Sequence, residues 1–485
     1  MVARNALYLG VGQVVTAALS FGVTALLARH LGAEDYGIFY LAGAFVLSAF
    51  ILVEFGQDYY VVRAVARSRE RAGELLGTGL ALRVIGALVI YLPVIGAARL
   101  LEYPETTRTA ISLMVVFHFL SSLGNGFSTI FRGVERMDYE AASRVAFKTL
   151  IAAATVVAIT LGARLVAVIQ AQIVAAAGGL AIYVLILRRL AVPRPQIRVQ
   201  SAGAILRGGA PFLLLGVLIT LHESVDAIML SKLAPGDAVG WYGAATRFTG
   251  ILIFPATILG VALYPTLSRL FADRPQGYRE FARSGLRFML LLGALTAAGT
   301  YLFAEEAVSL VYGQEAFGPA ATNLRVLTPY IFLVFVNIVL GTAIMAANRQ
   351  ARWAYAKGAC VLLAIALNAV LIPFCQSRFG NGGIGSSAAT SCTELVMLGA
   401  AFRLTPRGTL ALELLRDLGR AIAATAAMAG VIWLLGEVSP GIGITTALLT
   451  FVAVVVLLGG VGREDLGLLR DAVRLRSGGV ATEGS

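Results

Sequence analysis

Residues 207–247 read RGGAPFLLLGVLITLHESVDAIMLSKLAPGDAVGWYGAATR, and this stretch decides the fold. An apolar helix from Pro211 to Ser231 is followed by a short polar turn, and a second apolar helix starts at Gly240. Helices of this length and character are typical of membrane spans. The first of them nevertheless carries three ionisable residues, His222, Glu223 and Asp226. Because ionisable groups are costly inside a bilayer, they mark this helix as a candidate functional element.

The same stretch repeats the N-terminal sequence. An ungapped offset of 203 residues (240 minus 37) places Gly240 on Gly37 and Lys232 on Arg29. Further along the chain, Arg349 corresponds to Arg136 at an offset of 213 (349 minus 136). Two apolar helices can align by chance, but here the basic, acidic and glycine positions of the turn also match. The pattern therefore favours an internal duplication.

The composition indicates a membrane protein. Of 485 residues, 58% are hydrophobic and only 14% are charged, and the mean hydropathy is +0.82. A soluble domain carries roughly 25% charged residues. About fourteen runs are long enough for a spanning helix of about 20 residues, and none has the pattern of a barrel strand. The sequence predicts an all-α polytopic membrane protein with about 14 transmembrane helices.

The spans group into two copies. A basic, proline-containing linker at 191–208 separates an N-terminal six-helix lobe (1–190) from a C-terminal six-helix lobe (209–404). An even number of spans in each copy predicts parallel repeats of the same orientation. The remaining segment, 405–485, is predicted to hold an interfacial stretch, two extra transmembrane helices and a cytoplasmic tail.

The charge pattern predicts orientation rather than nucleic-acid binding. The net charge is +12, but the basic residues lie between spans. With the N-terminus in the cytoplasm, about thirty of the 39 lysines and arginines fall on that side. We therefore expect cytoplasmic termini and contacts with anionic membrane lipids. The sequence shows no catalytic motif of a known type, and the three cysteines form no CxxC pair, so we expect no enzyme activity and no cofactor.

Five basic residues are candidates to line a cavity. Arg83, Arg247 and Arg325 lie within spans, where an arginine costs about 2.5–3.5 kcal/mol on insertion scales. A guanidinium facing a wet cavity would bind a phosphate through two parallel hydrogen bonds. The alternatives are an ion pair between helices, with Asp226 or Glu54 for Arg247, or an interfacial position. We also include Arg29 and Lys232, which are equivalent in the repeat.

The acidic residues are candidates for a coupling ion. Glu223 precedes Asp226 by three residues and His222 precedes it by four, so all three share a helix face. Such a group can bind H⁺ or Na⁺. The alternative is a salt bridge to a neighbouring arginine. Glu394, in the twelfth span, is expected to pair with another span or to line the cavity.

Several segments resemble a known family. These are the stretches ARHLGAEDYG (28–37), FRGVERM (131–137), VGWYGAATR (239–247) and NAVLIP (368–373), in this order along the chain. They resemble the Wzx-type polysaccharide flippases of the multidrug/oligosaccharidyl-lipid/polysaccharide (MOP) exporter superfamily. The resemblance covers nearly the whole chain.

The resemblance implies two six-helix lobes that form a V-shaped cationic cavity. It implies a flippase, acting as a monomer or together with glycan-assembly enzymes, that moves polyprenyl-(pyro)phosphate-linked oligosaccharides with an ion gradient. Related lipid II flippases suggest a Na⁺ site at Asp226, Asn368 and Thr390. They also carry an Arg-Asp pair in span one, where this chain has Val23 and Thr24. The alternatives are a multidrug/cation antiporter of the same superfamily and a membrane glycan polymerase or ligase.

Overall fold

The structure, a computed structural model, describes residues 2–190, 192–410, 413–436 and 439–459. The predicted cytoplasmic tail from residue 460 onward lies outside the described residues. The first helices are α1 (Val2–Glu54), α2 (Gln57–Arg67), α3 (Ala72–Leu100), α4 (Glu105–Gly133), α5 (Met137–Thr160), α6 (Leu165–Arg189) and α7 (Val199–Leu233). The chain continues through α8 (Gly236–Asp273), α9 (Pro275–Leu302), α10 (Ala304–Tyr312), α11 (Gln314–Val326), α12 (Thr328–Ala346), α13 (Gln350–Phe379), α14 (Gly382–Leu404), α15 (Glu413–Leu435) and α16 (Pro440–Leu457).

Helices are the regular secondary structure of the described ranges, which contain no strand. Ten helices are long and apolar enough to cross a membrane, or eleven if the bent α7 counts as one span. Each of the fourteen predicted spans overlaps a helix within the described residues, which confirms the all-α membrane fold. The first predicted span and most of the second (36–62) fall in one segment, Tyr8–Glu54, interrupted at Gly32 by a positive φ of 75°. The predicted end of the second span is wrong, because the helix breaks at Phe55 and Gly56 and α2 follows.

One predicted boundary differs from the structure. The basic stretch before the ninth predicted span (288–304) is itself helical, because α9 begins at Pro275. Proline is well suited to the first turn of a helix, since the backbone N–H that it lacks has no helical partner there. The helix therefore starts about three turns before its apolar part.

The chain divides into two compact units, residues 1–240 and 241–485. In unit 1, α7 packs on α1, α2 and α3. Glycines permit this packing, because a Cβ on Gly209 would collide with the carbonyl oxygen of Phe55. The predicted lobes were defined by the repeat in the sequence, whereas these two units are defined by contacts between residues. The limits of the lobes therefore stay a prediction.

The corners before α5 and α13, which the predicted repeat pairs, have the same backbone conformation. Glu135 and Asn348, which are 213 residues apart, both have a left-handed conformation, with φ of 63° and 57°. The N–H of Arg136 donates to the carbonyl of Phe131 at 2.9 Å, and the N–H of Arg349 donates to that of Ile344 at 3.1 Å. In both corners the N–H bonds the carbonyl five residues earlier in the chain, and this bond closes the end of the preceding helix as in a Schellman motif.

Each unit has its own apolar core. In unit 1 a cluster that includes Leu75, Phe131 and Tyr183 joins α2, α3, α4 and α6. In unit 2 a cluster that includes Leu286, Phe335 and Trp353 joins α8, α9, α12, α13 and α14. These cores fix the helices on which the candidate site residues lie.

Candidate functional site

Arg83 is the most enclosed charged residue of α3. Its side chain is only 1% exposed. One guanidinium nitrogen bonds the Asp58 carboxylate, and the other donates to the Ser122 hydroxyl at 2.7 Å and lies 3.7 Å from Glu54 Oε1. The two carboxylates are the accessible members of the cluster, because their side chains are 33% (Glu54) and 32% (Asp58) exposed. The structure therefore places Arg83 in an ionic cluster.

A helix break positions these two carboxylates. α1 ends at Glu54, and Phe55 and Gly56 adopt positive φ angles of 46° and 64° before α2 begins at Gln57. Glycine reaches this left-handed conformation without a steric penalty. Any Cβ at Gly56 would also collide with α7, whose backbone approaches at Gly209. The break thus holds one carboxylate on each side of an unwound turn at the end of the candidate membrane span Tyr8–Glu54.

Helix α4 completes the surroundings of this cluster. Asn125 Nδ2 donates to Glu54 Oε1 at 3.2 Å. One turn before Ser122, the His118 ring lies 5.7 Å from the Phe50 ring of α1. The sequence predicted that Glu54, Gln57 and Asp58 lie toward the cytoplasmic end of the second span, near the interface, and offered Glu54 as one alternative partner for Arg247. The pairing of Glu54 and Asp58 with Arg83 was missed, although two carboxylates four residues apart around a glycine are a usable signal.

Lys232 and Ser231, at the end of α7, contact the loop between α3 and α4. The Lys232 amine lies 3.7 Å from the centroid of the Tyr103 ring and donates to the carbonyl of Leu101. The hydroxyls of Ser231 and Tyr103 are 2.7 Å apart. Arg29, which corresponds to Lys232 in the predicted repeat, is exposed.

The predicted ion-coupling residues fall in both units. On α7 of unit 1, Asp226 is buried, His222 is half-buried and Glu223 is exposed. In unit 2, Asn368 of α13 is fully buried, and its amide nitrogen donates to the Ala364 carbonyl at 2.9 Å. The predicted Na⁺ site at Asp226, Asn368 and Thr390 stays a prediction.

Two further polar contacts lie in unit 2. Thr390 on α14 donates to the Ser386 carbonyl at 2.9 Å, and its hydroxyl is 3.5 Å from that of Tyr242. Glu394, one turn later, accepts a hydrogen bond of 2.8 Å from Asn337 on α12. The expected contact of Glu394 with another span is therefore present, and Asn337 is a partner that the sequence did not reveal.

The two remaining candidate arginines lie in unit 2. Arg247 is exposed on α8, eleven residues after Gly236, which corresponds to a depth of about 16 Å along the helix. Burial raises the pKa of Tyr312, and the positive charge of Arg247 partly opposes that rise, so the two groups are neighbours. Arg325 bonds Glu305 at 2.8 Å and lies beside the Tyr301 ring.

Unit 2 also contains an apolar cavity of about 600 Å³ between α9, α12 and α15. Six of its fourteen lining residues are alanines, and Phe332 and Tyr301 are the large aromatic groups. No charged side chain lines it. Such a cavity accepts hydrocarbon rather than a sugar. Within the described ranges, no group of three or more His, Cys, Asp or Glu side chains is arranged to hold a metal ion.

Fold and charge placement together define a polytopic helical membrane transporter. The chain belongs to the polysaccharide biosynthesis protein family, which matches residues 2–271, and it lies within the MOP superfamily. A second family, MatE, matches residues 211–370.

Curated relatives agree with this assignment. The "Probable low-salt glycan biosynthesis flippase Agl15" of Haloferax volcanii is 21% identical over 81% of this chain and 81% of its own length. The "Putative O-antigen transporter" of Escherichia coli is 22% identical over 76% of this chain and 89% of its own length. Both relatives are named as a flippase or a transporter, and neither is named as a glycan polymerase or ligase.

Solved structures show the same fold. The lipid II flippase MurJ in an inward closed conformation has a TM-score of 0.73 and 14% identity, and the match covers 95% of this chain and 99% of MurJ. An inward-facing multidrug resistance transporter of the MOP superfamily has a TM-score of 0.67 and 17% identity, over 80% and 94% of the two chains.

Proposed function

We propose that this protein is a flippase for lipid-linked glycans. In more detail, it translocates a polyprenyl-(pyro)phosphate-linked oligosaccharide across the cytoplasmic membrane by ion-coupled alternating access, for cell-surface polysaccharide or glycan assembly. The observation that carries the proposal is the match of more than half the chain to the polysaccharide biosynthesis family, together with the two glycan-related relatives.

The chemistry of unit 2 supports this substrate class. A lipid-linked glycan has an anionic phosphate, a polar sugar and a hydrocarbon tail. The exposed guanidinium of Arg247 can bind the phosphate through paired hydrogen bonds. The apolar cavity of unit 2 suits hydrocarbon, so the tail can remain in an apolar environment while the headgroup crosses.

The location follows from the same proposal. A flippase of this class acts in the inner (plasma) membrane, where the precursor is made on the cytoplasmic face. The excess of lysine and arginine in alternate loops supports cytoplasmic termini. We further expect the protein to work as a monomer or together with glycan-assembly enzymes.

Replacement of Arg247 tests the phosphate contact. In cells that lack their own glycan flippase, Arg247→Ala should abolish surface glycan display, and Arg247→Lys should restore only part of it because lysine cannot form the planar paired contact. Display is measured with a lectin, and protein amount by immunoblot. The matched control is Arg352→Ala, an exposed arginine of α13 in the same unit. Wild-type display by Arg247→Ala at equal protein amount would remove Arg247 from the site.

A multidrug/cation antiporter is the second candidate function. The match of residues 211–370 to the MatE family favours it, as does the likeness to a multidrug transporter. The two functions are separated by expressing the chain in a drug-sensitive host. An antiporter raises resistance to cationic drugs and leaves glycan display unchanged, whereas the proposed flippase does the reverse.

A further inference from the structure

The cluster around the break between α1 and α2 carries an uneven charge. Glu54 and Asp58 supply two carboxylates, and Arg83 supplies one guanidinium within 4 Å of both. When all three are ionised, the cluster has a net charge of −1. Glu54 is the last residue of the candidate membrane span Tyr8–Glu54, and a partly enclosed charge at such a place is costly unless another charge or a bound cation compensates it.

Most side chains that surround the break carry no charge, and the arginine among them already bonds another carboxylate. Helix α4 contributes neutral Asn125 and Ser122, and His118 lies one turn beyond Ser122. Arg132 of α4 also interacts electrostatically with Asp58, and it bonds Glu140 at 2.5 Å. From α7, the break is faced by Gly209 and Phe212, which bring no charge.

A buried acceptor at the same place points to a missing donor or cation. Gln57, the first residue after the break, is only 2% exposed. Its amide nitrogen donates to the Val53 carbonyl, but its Oε1 atom has no partner. Gln57 Oε1 faces α3 at Gly79, where a Cβ would lie 3.4 Å away, and Gly79 is one turn before Arg83. An unpaired buried acceptor is unfavourable, and a hydrogen-bond donor or cation at the break would satisfy it.

We propose that Glu54 and Asp58, whose positions Arg83 fixes, share one exchangeable proton beside Gln57 at the helix break, and that this is a proton-coupling site of unit 1. The inference rests on the proposed flippase function for its role in coupling, but proton binding itself does not. Binding of one proton takes the cluster from −1 to zero and converts one carboxylate into a hydrogen-bond donor. Arg83 then positions the carboxylates rather than binding a substrate phosphate.

The geometry favours a proton over a metal cation. A Na⁺ ion between the carboxylates would lie close to the Arg83 guanidinium, which is within 3.7 Å of both, and like charges repel. A proton resides on a carboxyl oxygen and adds no separate charge centre beside the guanidinium.

Single neutral variants provide the first test. Glu54→Gln or Asp58→Asn leaves one carboxylate and one guanidinium, so the cluster is already neutral and Arg83 keeps a partner. The full-length protein in lipid nanodiscs is titrated while the infrared absorption of protonated carboxyl groups is followed. We expect a titrating band in the wild type that both variants lose. The control Glu70→Gln, an exposed carboxylate beside α3, should retain it. A band that survives in both variants overturns the proposal.

Transport in proteoliposomes tests the coupling role. The probe is a fluorescent polyprenyl-pyrophosphate disaccharide, followed with and without a pH gradient at fixed Na⁺. Wild type and Glu70→Gln should move it faster with the gradient, whereas the single cluster variants should move it at one rate in both conditions. A gradient response retained by those variants overturns the coupling role, and an equal response of the wild type to a Na⁺ gradient at fixed pH overturns the choice of the proton. If the wild type moves no probe, the proposed function fails, while the infrared result still decides proton binding.

Discussion

The corner between α4 and α5 and the corner between α12 and α13 have the same backbone conformation, but different kinds of side chain are buried beside them. At the repeat offset of 213, Glu140 of α5 corresponds to Trp353 of α13. Glu140 is 0% exposed and is held by Arg132 at 2.5 Å and Arg144 at 3.0 Å. Trp353 packs instead on Gly341, where a Cβ would come within 2.9 Å of its ring. The same corner conformation is thus compatible with buried ion pairs or with a buried aromatic ring.

A related contrast concerns buried polar groups. Unit 1 encloses the Arg83 cluster and the Glu140 triad. The helices α11 to α14 of unit 2 bury neutral amides, among them Asn323, Asn337 and Asn368. The buried ion pair of unit 2 lies elsewhere, on α15, where Asp417 bonds Arg420 at 2.7 Å.

The largest effect should come from leaving Arg83 without a carboxylate. Removing one partner of a buried ion pair typically costs about 3–5 kcal/mol. We therefore expect the double variant with Glu54→Gln and Asp58→Asn to lower the free energy of unfolding by about that amount, although each single variant costs far less. Unfolding is measured by titration with SDS in mixed micelles.

The double variant is informative because its effects should not add. If the double loss equals the sum of the two single losses, each carboxylate acts independently of Arg83, and the cluster is not one unit. Strong non-additivity is expected because the first loss leaves a matched pair and the second leaves an unpaired guanidinium.

A smaller effect is expected from Glu140→Gln, which removes the charge from the ionic corner. Hydrogen bonds to charged groups are worth about 1.5–3 kcal/mol each when buried, and both arginines are partly exposed and can regain water. We expect a loss of about 2 kcal/mol in the free energy of unfolding, measured in the same way.

Asp138→Asn, on the same helix, is the matched control. Asp138 also bonds an arginine, Arg136, at 2.7 Å, but both side chains are exposed. Exposed pairs contribute about 0–1 kcal/mol, so this variant should be nearly neutral. Equal losses for the two variants would mean that burial does not decide the strength of the ionic corner.

The sequence predicted the helices and the repeat because both leave local signals. Apolar runs of span length and the pair Arg136 and Arg349 are visible without any tertiary contact. The partners of Arg83 and Glu394 were not predictable in this way, because Glu54, Asp58 and Asn337 meet them across helices at no fixed spacing. The unpaired side-chain oxygen of Gln57 was not predictable either, because it depends on burial, which a single sequence does not show.

The smallest effect tests the backbone that the two corners share. Glu135 and Asn348 both have positive φ, but asparagine tolerates the left-handed region far better than glutamate. Exchanging the two residue types should therefore have opposite effects. We expect Glu135→Asn to raise the free energy of unfolding by about 0.5 kcal/mol and Asn348→Glu to lower it by a similar amount, a fraction of the left-handed penalty of roughly 1–2 kcal/mol. Changes of the same sign in both variants would show that side-chain contacts, rather than the shared backbone, set the stability of these corners.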